Sequence, residues 1–443
     1  MPPRIGNERA VLACLLALFV CRAVLASMIV PPWQGPDEPA HFIPAQLLAE
    51  PTASWSSRLR VLQADVLQSM AKHRWWEPYG SQSSDSPPTE FSRIPRLSIG
   101  AYSQPVYYGL GAAVLRLAPT SRLEGAYWRL RILSAVLGMG TLALGWAATA
   151  MLFGTSVASG ATAVAALHPQ FLLTSISVNP DALVIFMGTA IWWLLACVVT
   201  GRRVHMSLLL IVVIAATILL TKRNAIPLAA VAAILAFGWL VRPTTWLRGR
   251  TAIVWTAVLC LGGAIVLGIA AVRFENLGSQ LALYWSSGFT VRRTPDQTAL
   301  RAAVDYARTS LDYVWLVGGW LRFTAPEPWL WVVRVLTAAG FAGAAVVAIR
   351  SRELRRPMSI ACVLVIVQVI VVVGWGFWTL SSPQGRYLFP VIAPATALLW
   401  LGLTHAAPAR VRPYAAPTLI ATLAILDAIA FAAVLIPAYL PWG

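Results

Sequence analysis

Two adjacent carboxylates, Asp37 and Glu38, lie where a long apolar segment ends and a polar loop begins. The apolar segment covers about 10–30, and Pro36 and Pro39 disfavour its continuation as helix. Carboxylates are costly in hydrocarbon, so an acidic pair at the mouth of a membrane span indicates a functional task. A carboxylate at such a place can act as a general base. The alternative is that Asp37 is only a helix N-cap.

Neighbouring helical residues point about 100° apart, so the two acids are not expected to share one role. We predict that Asp37 is the base and that Glu38 orients the loop or a cation. His41 follows within one turn and can share their face if the segment is helical. Its alternatives are a metal ligand beside the two acids or a hydrogen-bonding residue of a substrate site. The need for a divalent cation stays open, and no other cofactor is indicated.

Three basic residues could bind an anion. Lys222 and Arg223 occupy a minimal corner between two apolar segments, where snorkelling is the alternative reading. Arg386 lies in a polar notch, 382–390, and can contact a phosphate through two nitrogens, while Gly385 would allow close approach of a ligand. These cations predict an anionic partner such as a lipid phosphate.

Further polar side chains fall in three short motifs. Asn179 and Asp181 form a corner between two apolar segments, which can cap a helix, line a site, or do both. The stretch 102–110 precedes an apolar run, 106–117, that is too short to span a membrane and is expected at the interface. The remaining candidates for substrate binding are Gln104, Tyr107, Tyr108, Gln384 and Tyr387.

The elements that must position these residues are membrane helices. The 443-residue chain is 58% hydrophobic and only 12% charged, whereas soluble proteins carry about 25% charged residues. We therefore predict an all-α polytopic membrane protein with about eleven spans. The spans are expected near 10–30, 127–152, 156–176, 181–200, 205–222, 224–241, 251–273, 328–349, 358–379, 388–405 and 414–437.

The basic residues predict the orientation. With the N-terminus in the cytoplasm, every strongly basic short loop falls on the inner side, as the positive-inside rule requires. The stretch at the N-terminus is then an uncleaved signal anchor rather than a cleaved signal peptide. The candidate site residues all fall on the external side. Two long external loops result, 31–126 with surface helices near 40–50 and 56–72, and 274–327, both within a single transmembrane domain, 1–443.

The sequence also argues against nucleic-acid binding and against disulfides or a cysteine-based metal site. The net charge of +17 could suggest nucleic acid, but the arginines lie in short clusters between apolar runs, so no nucleic-acid partner is expected. All five cysteines lie within apolar runs, so we expect neither disulfides nor a cysteine-based metal site.

Three ionisable residues lie within predicted spans. Arg22 and Asp427 each lie about 12 positions from the cytoplasmic end of their helix, or roughly 18 Å up. This matched depth predicts a structural ion pair. Arg334 is nearer the outer end of its span and is expected to snorkel.

Four of these motifs resemble the GT-C superfamily of membrane glycosyltransferases, and most closely a bacterial branch of predicted membrane proteins within it. They are the stretches 36–42, 104–108, 177–183 and 384–390. Protein O-mannosyltransferases have a similar Asp-Glu followed three residues later by His-Phe, and lipid A aminoarabinose transferases share the general layout.

The resemblance implies a helical fold with the first external loop packed over a cavity. It also implies transfer of a sugar from a polyprenyl-phosphate donor to a cell-envelope glycan, lipid or protein, at the external face of a bacterial plasma membrane. A transferase of this kind needs a base for the acceptor hydroxyl and cations for the phosphate. The alternative is a flippase or transporter of lipid-linked sugars, which would place its functional charges at mid-membrane.

Overall fold

The computed structural model describes residues 5–35, 37–50, 55–73, 105–222, 225–240, 299–378 and 383–440. Several sequence predictions fall outside these ranges: Gln104, Arg223, the span 251–273, and the parts 74–104 and 274–298 of the two long loops. The rest of the predicted architecture can be compared with the structure.

The described chain is almost entirely helical. Its first ten helices are α1 (Ile5–Ile29), α2 (Glu38–Ala49), α3 (Trp55–Lys72), α4 (Pro105–Leu117), α5 (Leu123–Phe153), α6 (Thr155–Ala166), α7 (Pro169–Ser175), α8 (Asp181–Val199), α9 (Val204–Leu219) and α10 (Ile226–Leu240). After the gap follow α11 (Ala299–Trp315), strands β1 (Val317–Gly318) and β2 (Phe323–Thr324), α12 (Glu327–Arg350), α13 (Arg352–Trp378), a 3-10 helix (Gly385–Val391), α14 (Ile392–His405), α15 (Arg412–Ile429), a π-helical turn (Ala430–Leu435) and α16 (Ile436–Tyr439).

Seven segments of the described chain are long and apolar enough to cross a membrane, which confirms the predicted all-α polytopic class. They are Glu8–Ile29, Leu123–Phe153, Asp181–Val199, Glu327–Arg350, Arg352–Gly374, Gly385–His405 and Arg412–Tyr439. Shorter apolar helices, Val204–Leu219 and Ile226–Leu235, coincide with two further predicted spans. The largest helix contact is between α5 and α8, and α14 packs against both α12 and α6.

The predicted continuous span 156–176 is wrong in one respect, because the chain breaks it into α6 and α7. Pro169 occupies the start of α7, and His168 adopts an extended backbone and accepts a hydrogen bond from the Phe171 amide at 3.4 Å. Proline cannot donate to the preceding turn, so helix ends before it and restarts with it. The proline was a visible signal for this break.

The predicted pairing of Arg22 with Asp427 is confirmed. Arg22 Nε donates to Asp427 Oδ2 at 2.8 Å, and a second guanidinium nitrogen contacts the other carboxylate oxygen. The third nitrogen donates to the carbonyl of Ala166, at the end of α6. The pair therefore joins α1 to α15 and also satisfies a carbonyl that the break leaves without a helical partner.

The helices of the first long loop form a second apolar cluster beside the main bundle. Large buried members of this cluster are Trp33, Phe42, Leu62, Tyr107 and Tyr127. Trp33 precedes α2, and the other four side chains come from α2, α3, α4 and the first turns of α5. The predicted surface helices near 40–50 and 56–72 are therefore confirmed as helices, and the loop is fixed to the bundle by a core of its own.

The described end of the second long loop is α11 followed by a two-stranded hairpin, in which Val317 pairs with Thr324 and Gly318 with Phe323. Arg334, which lies near the outer end of its predicted span, has an acidic partner in this segment. Its guanidinium donates to both carboxylate oxygens of Asp312 in α11, at 2.7 and 2.8 Å. This bidentate pair ties α11 to α12.

Candidate active site

Polar residues from four distant parts of the sequence meet at one end of the helical bundle. This is the end where α1 and α9 finish and where α8 and the 3-10 helix begin. The four residues are Asp37, Asp181, Lys222 and Arg386, and direct ion pairs connect them. The structure thus brings together two of the three predicted carboxylates, Asp37 and Asp181, with two of the predicted cations, whereas Glu38 lies outside this cluster.

Asp37 presents its carboxylate to this cluster rather than capping α2. Its backbone is left-handed, with φ 64° and ψ 11°, and its side chain makes no capping hydrogen bond. Such a backbone is uncommon for a residue other than glycine, although Asp adopts it more readily than most. The side chain is 37% exposed, and Oδ2 accepts a hydrogen bond from Arg386 at 3.2 Å. The N-cap alternative is therefore wrong for this side chain.

Asp181 is the buried counter-ion of both cations. One carboxylate oxygen lies 2.6 Å from Lys222 Nζ, and the other lies 3.2 Å from Arg386 Nε. Only 1% of the Asp181 side chain is exposed. Since burying a charge is costly unless it is paired, the carboxylate holds the two cations next to each other.

Lys222 is fixed by its neighbours and does not snorkel. Its Nζ donates to Asn179 Oδ1 at 3.2 Å and lies 5.1 Å from the centre of the Tyr387 ring. Asn179 Oδ1 also accepts from the Asp181 amide at 2.9 Å, so the corner between α7 and α8 is an Asx turn. The corner therefore caps a helix and places two side chains in the site, as one of the alternatives for it predicted.

Glu38, by contrast, lies inside the protein and is fully buried. One carboxylate oxygen accepts from the Gly35 amide and from the Tyr127 hydroxyl, both at 2.9 Å. The other accepts from the Val178 amide at 2.9 Å and lies 3.9 Å from Arg131 Nε. Glu38 therefore joins the loop before α2 to the corner before α8, the two segments that carry Asp37 and Asp181.

Two glycines permit this packing. A Cβ on Gly35 would lie 2.6 Å from the Glu38 carboxyl carbon and 2.7 Å from Ser177 Oγ. A Cβ on Gly385 would lie 2.0 Å from the backbone nitrogen of Val314 in α11. Gly385 was expected to admit a ligand, but the structure shows that it admits the backbone of α11 beside Arg386.

His41 and Tyr108 form a pair next to the charged cluster. His41 Nδ1 is 2.9 Å from the Tyr108 hydroxyl, and both residues are buried. Burial, reinforced by the charge of Lys222, lowers the pKa of His41 well below its usual value, so the imidazole is neutral. Burial and the nearby Asp37 charge raise the pKa of Tyr108, which keeps its hydroxyl protonated.

The other predicted binding residues within the described ranges are Tyr107, Tyr387 and Gln384, and they differ in how close they lie to the charged cluster. Tyr107 is fully buried with its hydroxyl 3.4 Å from Ser134 Oγ, so it supports the site from behind. Tyr387 contacts the site directly, because both Lys222 Nζ and the Arg386 guanidinium lie over its ring, at 5.1 and 5.5 Å from the ring centre. Gln384 is half-buried, and its carbonyl accepts the Tyr387 amide at 3.2 Å.

The described residues do not fit the metal alternative. Glu38 is saturated by protein donors, and His41 has one nitrogen committed to Tyr108. Asp37 and Asp181 already face two cations. In the described ranges no group of three or more His, Cys, Asp or Glu side chains is arranged to hold an ion.

A small cavity is lined in part by Arg386. Its volume is about 30 Å³, and its lining includes Gln34, Gln170, Asn179 and Tyr439. This is room for roughly two water molecules.

Two residues of the site were missed at the sequence level. Arg131 is 2% exposed and donates to the carbonyl of Val30 at 2.9 Å, and the Tyr127 hydroxyl bonds Glu38. Both residues lie in the first turns of α5. An arginine within an apolar run was the available signal for Arg131, since such residues are rare and usually paired.

Residues 19–395 match the family model described as predicted membrane protein (DUF2142). The chain belongs to this DUF2142 family. The matched region includes every residue of the site from Asp37 to Tyr387. Membership, together with the apolar helices, makes this DUF2142 protein a multi-pass membrane protein.

Among solved structures, the DUF2142 chain is similar to the oligosaccharyltransferase of Archaeoglobus fulgidus in its apo form. The two are 12% identical with a TM-score of 0.45, and the match covers 98% of this chain and 55% of the other. The chain thus spans about half the length of that structure. No curated protein matches the chain.

Proposed function

We propose that the protein is a glycosyltransferase that moves a sugar from a polyprenyl-phosphate donor to a cell-envelope acceptor at the external face of the membrane. The observation that carries this proposal is the position of Arg386. It lies between an exposed carboxylate, Asp37, and a buried one, Asp181, which also holds Lys222. The candidate base is therefore paired with one cation, and a second cation is coupled to the first through Asp181, which matches the needs of this chemistry.

In the proposed reaction, Asp37 takes the proton of the acceptor hydroxyl. The hydroxyl oxygen forms a bond to the anomeric carbon of the sugar, and the bond from that carbon to the phosphate oxygen breaks. The electron pair of the broken bond stays on the polyprenyl phosphate. Arg386 and Lys222 stabilise the charge that develops there, so no separate proton donor is needed.

The charge balance of the site supports a phosphate ligand. Asp181 is buried and paired with both cations, so their charges are held together without Asp37. Asp37 is the more exposed partner of Arg386, so an arriving phosphate can replace it on the guanidinium. This exchange would release Asp37 toward the acceptor and give Arg386 the bidentate anion that its geometry suits.

The same arrangement favours inversion at the anomeric carbon. A double displacement needs a second carboxylate that reaches the sugar. Glu38 is fully buried, and Asp181 is 1% exposed and paired with two cations. Asp37 is left as the carboxylate of this site that can meet a substrate, which is sufficient for a single displacement.

The alternative, a flippase or transporter, required functional charges at mid-membrane. The two ionisable residues expected at that depth, Arg22 and Asp427, are bonded to each other and to a helix carbonyl. They are thereby occupied in a structural role, which favours the transferase.

Native mass spectrometry of the purified protein tests the proposal. We expect a polyprenyl phosphate, with or without its sugar, to co-purify with the wild-type protein and to be lost from Arg386→Ala. Retention of bilayer phospholipids alone by the wild-type protein, in preparations where polyprenyl phosphates are abundant, would contradict it.

A further inference from the structure

The described residues leave one ring nitrogen of His41 unused. Nδ1 is bound to the Tyr108 hydroxyl at 2.9 Å, with the two rings 6.0 Å apart and tilted by 30°. None of the described residues forms a hydrogen bond with Nε2. The imidazole is therefore held in a fixed orientation by one nitrogen while the other remains available to a ligand.

The pair lies near the candidate base and the cations. His41 is four residues after Asp37, and its amide donates to the Asp37 carbonyl at 3.1 Å, so Asp37 directly precedes the first turn of α2, which contains His41. The charges of Lys222, Asp181 and Arg386 all act on His41, and the charge of Asp37 acts on Tyr108. A group bonded to a phosphate at Arg386 would therefore lie close to His41.

The chemistry of this nitrogen fits a hydroxyl group. The neighbouring cations and the burial of the ring disfavour an imidazolium, so His41 cannot add positive charge toward a phosphate. In a neutral imidazole, Nε2 donates or accepts according to the tautomer that Tyr108 selects. A sugar hydroxyl can both donate and accept, so it pairs with either tautomer.

We propose that His41, oriented by Tyr108, forms the sugar subsite of the donor by hydrogen-bonding a hydroxyl of the transferred sugar through Nε2. This inference rests on the proposed function. It divides the donor site of that function into a phosphate-binding part and a sugar-binding part. Arg386 and Lys222 bind the phosphate, which every donor shares, whereas His41 contacts the sugar, which distinguishes one donor from another.

The experiment compares affinities for two kinds of lipid. The probes are a bare polyprenyl phosphate and the same lipid carrying each of a panel of hexoses and pentoses. For each protein the measured quantity is the ratio of affinity for the best sugar-bearing lipid to affinity for the bare lipid. Wild type is expected to prefer a sugar-bearing lipid.

His41→Ala should lower this ratio by about 5–10-fold while binding of the bare lipid changes by less than about 2-fold. Tyr108→Phe removes only the hydroxyl that orients the ring, and it should lower the ratio by a smaller factor of about 2–3. His405→Ala is the matched control, because His405 is an exposed histidine at the other end of α14 from the 3-10 helix. Its ratio should equal that of wild type.

Other outcomes distinguish failure of the proposed function from failure of the sugar subsite alone. If wild type binds none of the lipid phosphates, the proposed function itself fails. If wild type binds the bare lipid as tightly as every sugar-bearing lipid, only the sugar subsite is wrong. An unchanged ratio in folded His41→Ala, or in Tyr108→Phe should His41→Ala not fold, would equally overturn it.

Discussion

Arg386 donates a hydrogen bond to Asp37 across 349 positions of sequence, at a distance of 3.2 Å. The contact joins the loop after the first membrane helix to the 3-10 helix that starts a late one. Arg386 itself is buried: only 5% of its side chain is exposed, and it is also paired with Asp181. The predictions below test this site and the scaffold that forms it.

The first prediction concerns phosphate binding. Arg386→Ala and Lys222→Ala should each weaken binding of a polyprenyl phosphate by about 10–100-fold, the range expected for a lost charge-assisted hydrogen bond. Arg410→Ala, an exposed arginine between α14 and α15, serves as the control. Binding can be measured by microscale thermophoresis in detergent. Wild-type affinity in both site variants would place the phosphate elsewhere.

The second prediction concerns Glu38 as a positioning residue. Glu38→Gln turns an amide group toward donors that now face a carboxylate, and should lower the free energy of unfolding by about 1–3 kcal/mol. Glu50→Gln is a matched change at a half-buried carboxylate that pairs with Arg58, where about 0–1 kcal/mol is expected. Thermal unfolding in detergent compares the two. Equal losses would show that the Glu38 network does not support the fold.

The third prediction concerns the ion pair inside the bundle. Arg22→Leu and Asp427→Leu should each destabilise the protein by about 3–5 kcal/mol, because each leaves a buried charge without its partner. The double variant should recover part of this loss, and Arg9→Leu on the same helix should have little effect. Strictly additive losses in thermal unfolding would mean that the pair contributes no coupling energy.

The fourth prediction concerns orientation. In a background with the native cysteines replaced, single cysteines at positions 85 and 300 should react with an impermeant maleimide added outside the cell. Cysteines at 203 and 353, in the basic connections, should react only after the membrane is opened. Labelling of either of these two from outside would refute the proposed orientation and with it an external site.

Much of this site could be predicted from sequence because helices alternate in direction. That alternation brings the end of α1, the start of α8, the end of α9 and the start of the 3-10 helix to one end of the bundle. The depth and rotation of each side chain are different matters. They depend on packing between helices, so the sequence did not show that Glu38 points into the protein while its neighbour Asp37 faces the cations.

Two other features that the sequence did not predict also depend on packing between helices. The helix break at Pro169 follows from the missing amide proton of proline, which was visible in the sequence. The hydrogen bond from Arg22 to the Ala166 carbonyl, which this break leaves without a helical partner, depends on a contact between α1 and α6. Asp181 could be read as a helix-capping acid, and its second role as shared counter-ion follows only once Lys222 and Arg386 are placed beside it.

The most direct test of the central claim is turnover by Asp37→Asn. The assay follows release of polyprenyl phosphate from a polyprenyl-phosphate sugar in membranes that contain the native acceptor. Asparagine keeps the shape of the side chain but removes its basicity, so turnover should fall by about 10²–10⁴-fold while donor binding persists. Asp65→Asn, at an exposed carboxylate on α3, should be as active as wild type, and Glu38→Gln should lose less than Asp37→Asn. Normal turnover by Asp37→Asn would contradict the account.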